Sequence, residues 1–121
     1  MSIQWNEKDP IYVQIHQYLV GLVIDGAVQE GDPLPSVRAI AETHRVNPLT
    51  ASKAIQRLVE DDVLEKRRGL GMYLVEGARE RLLQLERKRF IEEEWPVIKT
   101  KLARLEWSLK DLTEKESRIR C

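Results

Sequence analysis

Apolar side chains at Ile11, Ile15, Leu19, Leu22 and Val23 recur at helical spacing, so residues 10–25 (PIYVQIHQYLVGLVID) are predicted to form a helix. Pro10 fits its first turn, where a missing amide costs nothing. The next ten residues, GAVQEGDPLP, hold two glycines and two prolines and read as a structured loop. A short helix, VRAIAETH, follows. Ser36 is placed to cap it, Val37, Ile40 and Ala41 face inward, and Arg38 is turned partly outward.

His44 to Val46 read as a turn into a third helix. Asn47-Pro48 looks at first like a helix break, but Asn is a good cap and Pro a good first residue, so the pair starts a helix. In that helix, LTASKAIQRLVEDD, the residues Ala51, Ile55, Leu58 and Val59 form the predicted inward stripe. Leu49, Lys53, Gln56 and Arg57 occupy the opposite side, with Thr50 and Ser52 at its edges. Acidic residues wait until Glu60, Asp61 and Asp62, at the far end.

Two β-prone runs come next, Val63–Lys66 and Met72–Val75, flanking Arg-Gly-Leu-Gly. They predict a hairpin whose glycines supply unusual backbone angles, with Lys66, Arg67 and Arg68 clustered near its tip. From Gly77 onward only helical patterns remain. The stretch ARERLLQLERKRFIEEE is strongly charged. In WPVIKTKLARLEWSLKDL, apolar residues alternate steps of three and four at Trp95, Ile98, Leu102, Leu105, Leu109 and Leu112, which predicts one seam for a helix–helix contact.

Composition narrows the function classes. The 121 residues are 42% hydrophobic and 33% charged, the profile of a soluble, helix-rich protein. No apolar run is long enough to span a bilayer and MSIQWNEKDP is no signal peptide, so a cytoplasmic location is expected, with no membrane partner. Cys121 has no second cysteine to pair with, and His16 and His44 stand alone; neither a disulfide nor a metal site is expected, and no cofactor. Twenty basic and twenty acidic residues cancel, so a nucleic-acid surface must come from local concentration of charge. Residues 1–76 are net acidic and 77–121 net basic.

Two helices across a tight turn, the second capped and polar on its outer face, make a helix-turn-helix, which places its second helix in a DNA major groove. The basic hairpin adds a wing. Arg38, Lys53, Arg57 and the Lys66–Arg68 triplet come from three different elements, and their convergence favours DNA over a merely solvated surface. A winged helix acting as a protein-interaction module stays open as the alternative, since residues 1–76 are net acidic. An enzyme is not expected: there is no nucleophile–base pair, no paired carboxylates, and Gly69-Leu70-Gly71 lacks the helix a phosphate loop needs.

The segments PIYVQI, GDPLPSVRAIA, VNPLTASKAIQRLVEDDVL and KRRGLGMYLV resemble the amino-terminal winged helix of the GntR family of bacterial transcription regulators, over essentially residues 9–76. Leu-Pro-Ser-x-Arg followed by Gly-x-Gly carries most of that specificity. The short helical tail is similar to the YtrA subfamily. The resemblance implies a mostly α fold with a small β-hairpin: a winged helix-turn-helix over 1–76, then an all-helical dimerisation tail over 77–121. It implies a homodimeric repressor of a transporter-type operon, bound to an inverted-repeat operator in double-stranded DNA, with any small-molecule effector unknown. Arg38 then matches an operator-contacting arginine, Thr50, Ser52 and Lys53 recognition-helix positions, and Arg68 and Gly69 the wing in the minor groove. Together with Ser36, Leu49, Arg57 and Arg67 these form the candidate DNA-binding set. Leu49 departs from the usual asparagine of Val-Asn-Pro-Asn-Thr, and Glu106 stands where relatives often have a helix-ending glycine.

Overall fold

The computed structural model describes residues 3–120, and side chains as far as Glu116. Cys121, for which no disulfide is expected, lies outside the described residues. The elements are α1 (Ile11–Ile24), α2 (Val37–His44), α3 (Pro48–Glu60), strands β1 (Leu64–Arg67) and β2 (Gly71–Leu74), α4 (Ala78–Arg89), one turn of π-helix (Phe90–Glu94), α5 (Trp95–Arg104) and α6 (Leu109–Arg120). The chain divides into two compact units, Met1–Leu83 and Gln84–Cys121.

In the first unit, α1 and α2 both pack on α3. The core holds Ile15, Leu19, Val20 and Val23 of α1, Ile40 and Ala41 of α2, and Ala51, Ala54, Ile55 and Leu58 of α3. Four predicted core positions lie elsewhere: Ile11 is exposed, and Leu22, Val37 and Val59 are only half-buried. On α3 the inward stripe runs 51, 54, 55, 58, which leaves Val59 at its margin. Ala51 and Ala54 are fully buried in the face of α3 that packs on α1 and α2. Gln14, which the periodicity left out, is also buried. Its side chain accepts from the Asn6 amide and donates to the Asn6 and Asp9 carbonyls, each at 2.9 Å, tying the residues before α1 to that helix.

The two helix starts follow the sequence expectation. Ser36 Oγ accepts from the Ala39 amide at 3.0 Å, and Asn47 Oδ1 from the Leu49 amide at 2.8 Å, with Pro48 as first helical residue. Between them Arg45 is left-handed (φ 55°), and the Val46 amide reaches back to the Ala41 carbonyl at 3.0 Å, ending α2 sharply. His16, expected to stand alone, is buried with Nε2 3.5 Å from Asp61 Oδ2. His44 meets the Tyr18 ring edge-on at 5.1 Å. Among the described residues no three His, Cys, Asp or Glu side chains gather where a metal could sit.

β1 and β2 pair antiparallel from Leu64↔Leu74 to Arg67↔Gly71, one residue off the predicted limits. Arg68-Gly69-Leu70 makes the tip, where Gly69 (φ 76°) and Gly71 (φ 106°) take angles that side chains disfavour. The outer edge of β2 is covered by the loop before α2. Gly31 and Leu34 amides donate to Leu74 and Met72 carbonyls, and the Leu74 amide to Asp32, at 2.8–2.9 Å. That loop therefore fixes the hairpin, which composition alone did not reveal.

Ala78 and Leu82, in the first turns of α4, are buried, so the first unit extends past residue 76. The Glu30 carboxylate accepts from the Gly77 and Arg79 amides (2.8 and 3.3 Å), an anion at the positive end of α4. In the second unit the predicted single seam is cut. Leu105 follows the last residue of α5, Glu106 is left-handed (φ 55°), and the Trp107 amide returns to the Leu102 carbonyl at 3.0 Å. Ser108 then starts α6 through a reciprocal cap with Asp111: Ser108 Oγ accepts from the Asp111 amide, and the Asp111 carboxylate from the Ser108 amide. The Ser108 backbone and hydroxyl bonds, with Lys115 nearby, hold the Asp111 carboxyl below its ordinary range. Trp95, Ile98, Leu102 and Leu105 thus belong to α5 and its end, Leu109 and Leu112 to α6, and none of the six is buried. No described helix is long and apolar enough to cross a membrane.

Candidate nucleic-acid interface

Leu49, Ser52, Lys53 and Gln56 stand exposed on one side of α3, and Arg57 is half-buried. This surface carries no acidic residue before Glu60. Leu49 is 79% exposed, an unusual position for a leucine whose own amide is held by the Asn47 cap. Thr50 is half-buried and lines an open depression of about 370 Å³ with Trp5, Ile11 and residues 44–47 of the turn.

Arg38 projects from α2 with its side chain 88% exposed. Its Nε donates to Glu42 Oε1 at 3.1 Å, one helical turn on. Ser36, proposed for DNA contact, spends its hydroxyl as acceptor for the cap of α2. At the hairpin, Arg68 and Gly69 are exposed at the tip beside Leu70. The Arg67 guanidinium lies over the Tyr73 ring, 4.0 Å from its centre, and 3.8 Å from Glu65 Oε2. Lys53 is held in a similar way, its Nζ 4.1 Å from the centre of the Tyr12 ring on α1.

The candidate residues therefore sit on the exposed sides of α2, α3 and the hairpin, and α3 packs against both other elements. Sequence reasoning missed their supports. Glu42 was readable as an acid four residues after Arg38. Tyr73 pairs with Glu65 across the hairpin, and a diagonal neighbour on the same face such as Arg67 is within reach of its ring. Tyr12 carries no local signal, because its partner is 41 positions away.

Three helices followed by an antiparallel hairpin, with the third helix exposing a capped polar face, define a winged helix-turn-helix protein. Residues 11–74 match the profile of the bacterial regulatory proteins of the gntR family, and the chain belongs to that family. Its members are transcription regulators, not enzymes. The chain is 38% identical to the HTH-type transcriptional repressor YtrA of Bacillus subtilis (strain 168) over 84 residues, which cover 69% of this chain and 65% of that protein. It thus spans just under two thirds of that relative's length. A GntR family transcriptional regulator from Listeria monocytogenes shares the fold at a TM-score of 0.78 with 28% identity, covering 94% of this chain and 98% of that one. The fold also matches S. agalactiae BusR, solved in complex with its busAB-promotor DNA, at a TM-score of 0.64 and 20% identity, over 93% of this chain and 52% of BusR.

Proposed function

We propose that this chain is a homodimeric, sequence-specific DNA-binding repressor that reads an inverted-repeat operator, with α3 in the major groove and the hairpin as a minor-groove wing. The observation that carries this reading is the distribution of charge. Six of the eight lysines and arginines before residue 77 are Arg38, Lys53, Arg57, Lys66, Arg67 and Arg68, in a segment that is net acidic. A surface that merely needs solvation has no reason to collect its cations on three adjoining elements. A transporter-type operon as target rests on the likeness to YtrA. Dimerisation rests on the exposed apolar residues of α5 and α6, which one chain leaves in water. Footprinting on the promoter of the protein's own operon tests the reading. Two protected half-sites related by a two-fold axis are expected, and an unprotected promoter argues against it.

The wing makes a separate prediction. Arg67→Ala and Arg68→Ala should weaken binding to every sequence. Each lost phosphate contact should flatten the log–log salt dependence by roughly 0.9. An unchanged slope in both variants means the hairpin does not touch the backbone.

Leu49 should read a thymine methyl, the one apolar group the major groove offers. Substitution by asparagine leaves the helix start intact, because the Asn47 cap engages only the backbone of residue 49. Leu49→Asn should therefore move preference at one base pair from thymine toward adenine, measured by comparing duplexes that differ only there. Identical preferences make Leu49 plain surface.

A further inference from the structure

Lys53 and Arg38 are both exposed cations on the helix-turn-helix, yet they are held in opposite ways. Arg38 is bonded to the Glu42 carboxylate, an acceptor that competes for its guanidinium. Among the described residues no carboxylate stands within ion-pair distance of Lys53. Its ammonium rests instead on the half-buried ring of Tyr12, 4.1 Å from the ring centre. The face of an aromatic ring attracts a cation through its quadrupole and leaves the charge and the ammonium's outward hydrogens available. A lysine on a four-carbon stem otherwise samples many rotamers and must give them up on binding. α1 packs against α3, so the ring is held by the same core that fixes the recognition helix.

We propose that Tyr12 is a positioning residue for DNA recognition: its ring presets the Lys53 ammonium on the outer side of α3, so that Lys53 meets a phosphate or base edge already ordered. This rests on the DNA-binding reading above. It assigns to α1, which carries none of the candidate contacts, a part in binding strength. Tyr73 under Arg67 has the same form, but the nearby Glu65 makes its effect harder to isolate.

The test is a double-mutant cycle read by fluorescence anisotropy on a duplex carrying the footprinted promoter site, with thermal midpoints measured alongside. Tyr12→Phe keeps the ring face and should bind within about twofold of wild type. Tyr12→Leu removes the face and should weaken binding by roughly tenfold over the two half-sites. In the Lys53→Ala background the same Tyr12→Leu change should cost almost nothing, which a loss of fold stability would not produce. In the free protein, the Lys53 side-chain methylene protons should be shifted upfield by the ring and lose that shift in Tyr12→Leu. Equal losses for Phe and Leu, or a Tyr12→Leu loss that persists without Lys53, overturn the proposal while leaving the DNA reading standing. Failure of the wild type to bind the duplex overturns the DNA reading, and this inference with it.

Discussion

Arg38→Ala should abolish specific binding at ordinary salt while leaving the thermal midpoint nearly where it was. Only an exposed contact to Glu42 is lost within the protein, and pairs of that kind contribute about 0.3–0.5 kcal/mol. On DNA the loss is larger, because a guanidinium bonded to a guanine edge or a phosphate is worth ~1–3 kcal/mol. In the proposed dimer, two protomers on one operator would double it, to between roughly thirty- and twenty-thousand-fold in affinity. Glu42→Ala is the matched control. It removes the same internal pair but spares the guanidinium, and should bind at least as tightly as wild type. Wild-type affinity in Arg38→Ala would show that α2 is oriented away from DNA, and the interface would need rebuilding around α3 and the hairpin alone.

Leu105→Asp should separate the dimer and destroy operator binding without altering the winged helix. Leu105 is 49% exposed at the end of α5, beside an open groove of about 630 Å³ lined by Pro96, Val97, Thr100, Lys101 and Arg104. Covering the exposed half of one such leucine is worth about 0.7–1.5 kcal/mol, and two-fold symmetry counts it twice. An aspartate replaces that gain with a charge to be desolvated. Once the chains part, the second half-site is no longer bound at the millimolar effective concentration that linkage supplies, and affinity should fall by about 10²–10⁴-fold. Sedimentation should show wild type as a dimer and the variant as a monomer at micromolar concentration. A wild-type monomer would contradict the assembly, and the apolar faces of α5 and α6 would then need another partner.

Most of the first unit was legible because its signals are local. Ser36 before an apolar-periodic run, Asn47 before Pro48, and glycines at 69 and 71 each specify backbone geometry within a few residues, and the helix starts and hairpin tip lie there. Local patterns were less informative where two answers fit the same period. Val59 and Ala54 are both compatible with an inward stripe, and the packing of α3 buries the smaller residue fully and leaves Val59 at the margin. Gln14 carries no burial signal in the apolar pattern; its partners come from the turn around Asn6.

The tail misled for a related reason. The alternation from Trp95 to Leu112 is real, but an apolar repeat does not exclude a break inside it. Glu106 takes the left-handed conformation that glycine usually occupies, and Ser108 with Asp111 restarts the helix. The serine and the acid three residues later were visible as a cap signal before α6. In the candidate interface the residues that point outward were legible, since outward positions follow from periodicity. Their holders, Tyr12, Tyr73 and Glu65, were not, because a ring–cation contact or a cross-strand neighbour depends on how separate elements are brought together.

The central claim is that this chain recognises a DNA sequence as a symmetric pair. Selection of bound duplexes from a randomised pool by the wild-type protein at physiological salt tests it most directly. Successive rounds should enrich two inverted half-sites at fixed spacing, and the selected duplex should take up two chains. A pool that stays random, or that is bound only weakly and with equal affinity for every sequence, would contradict the account.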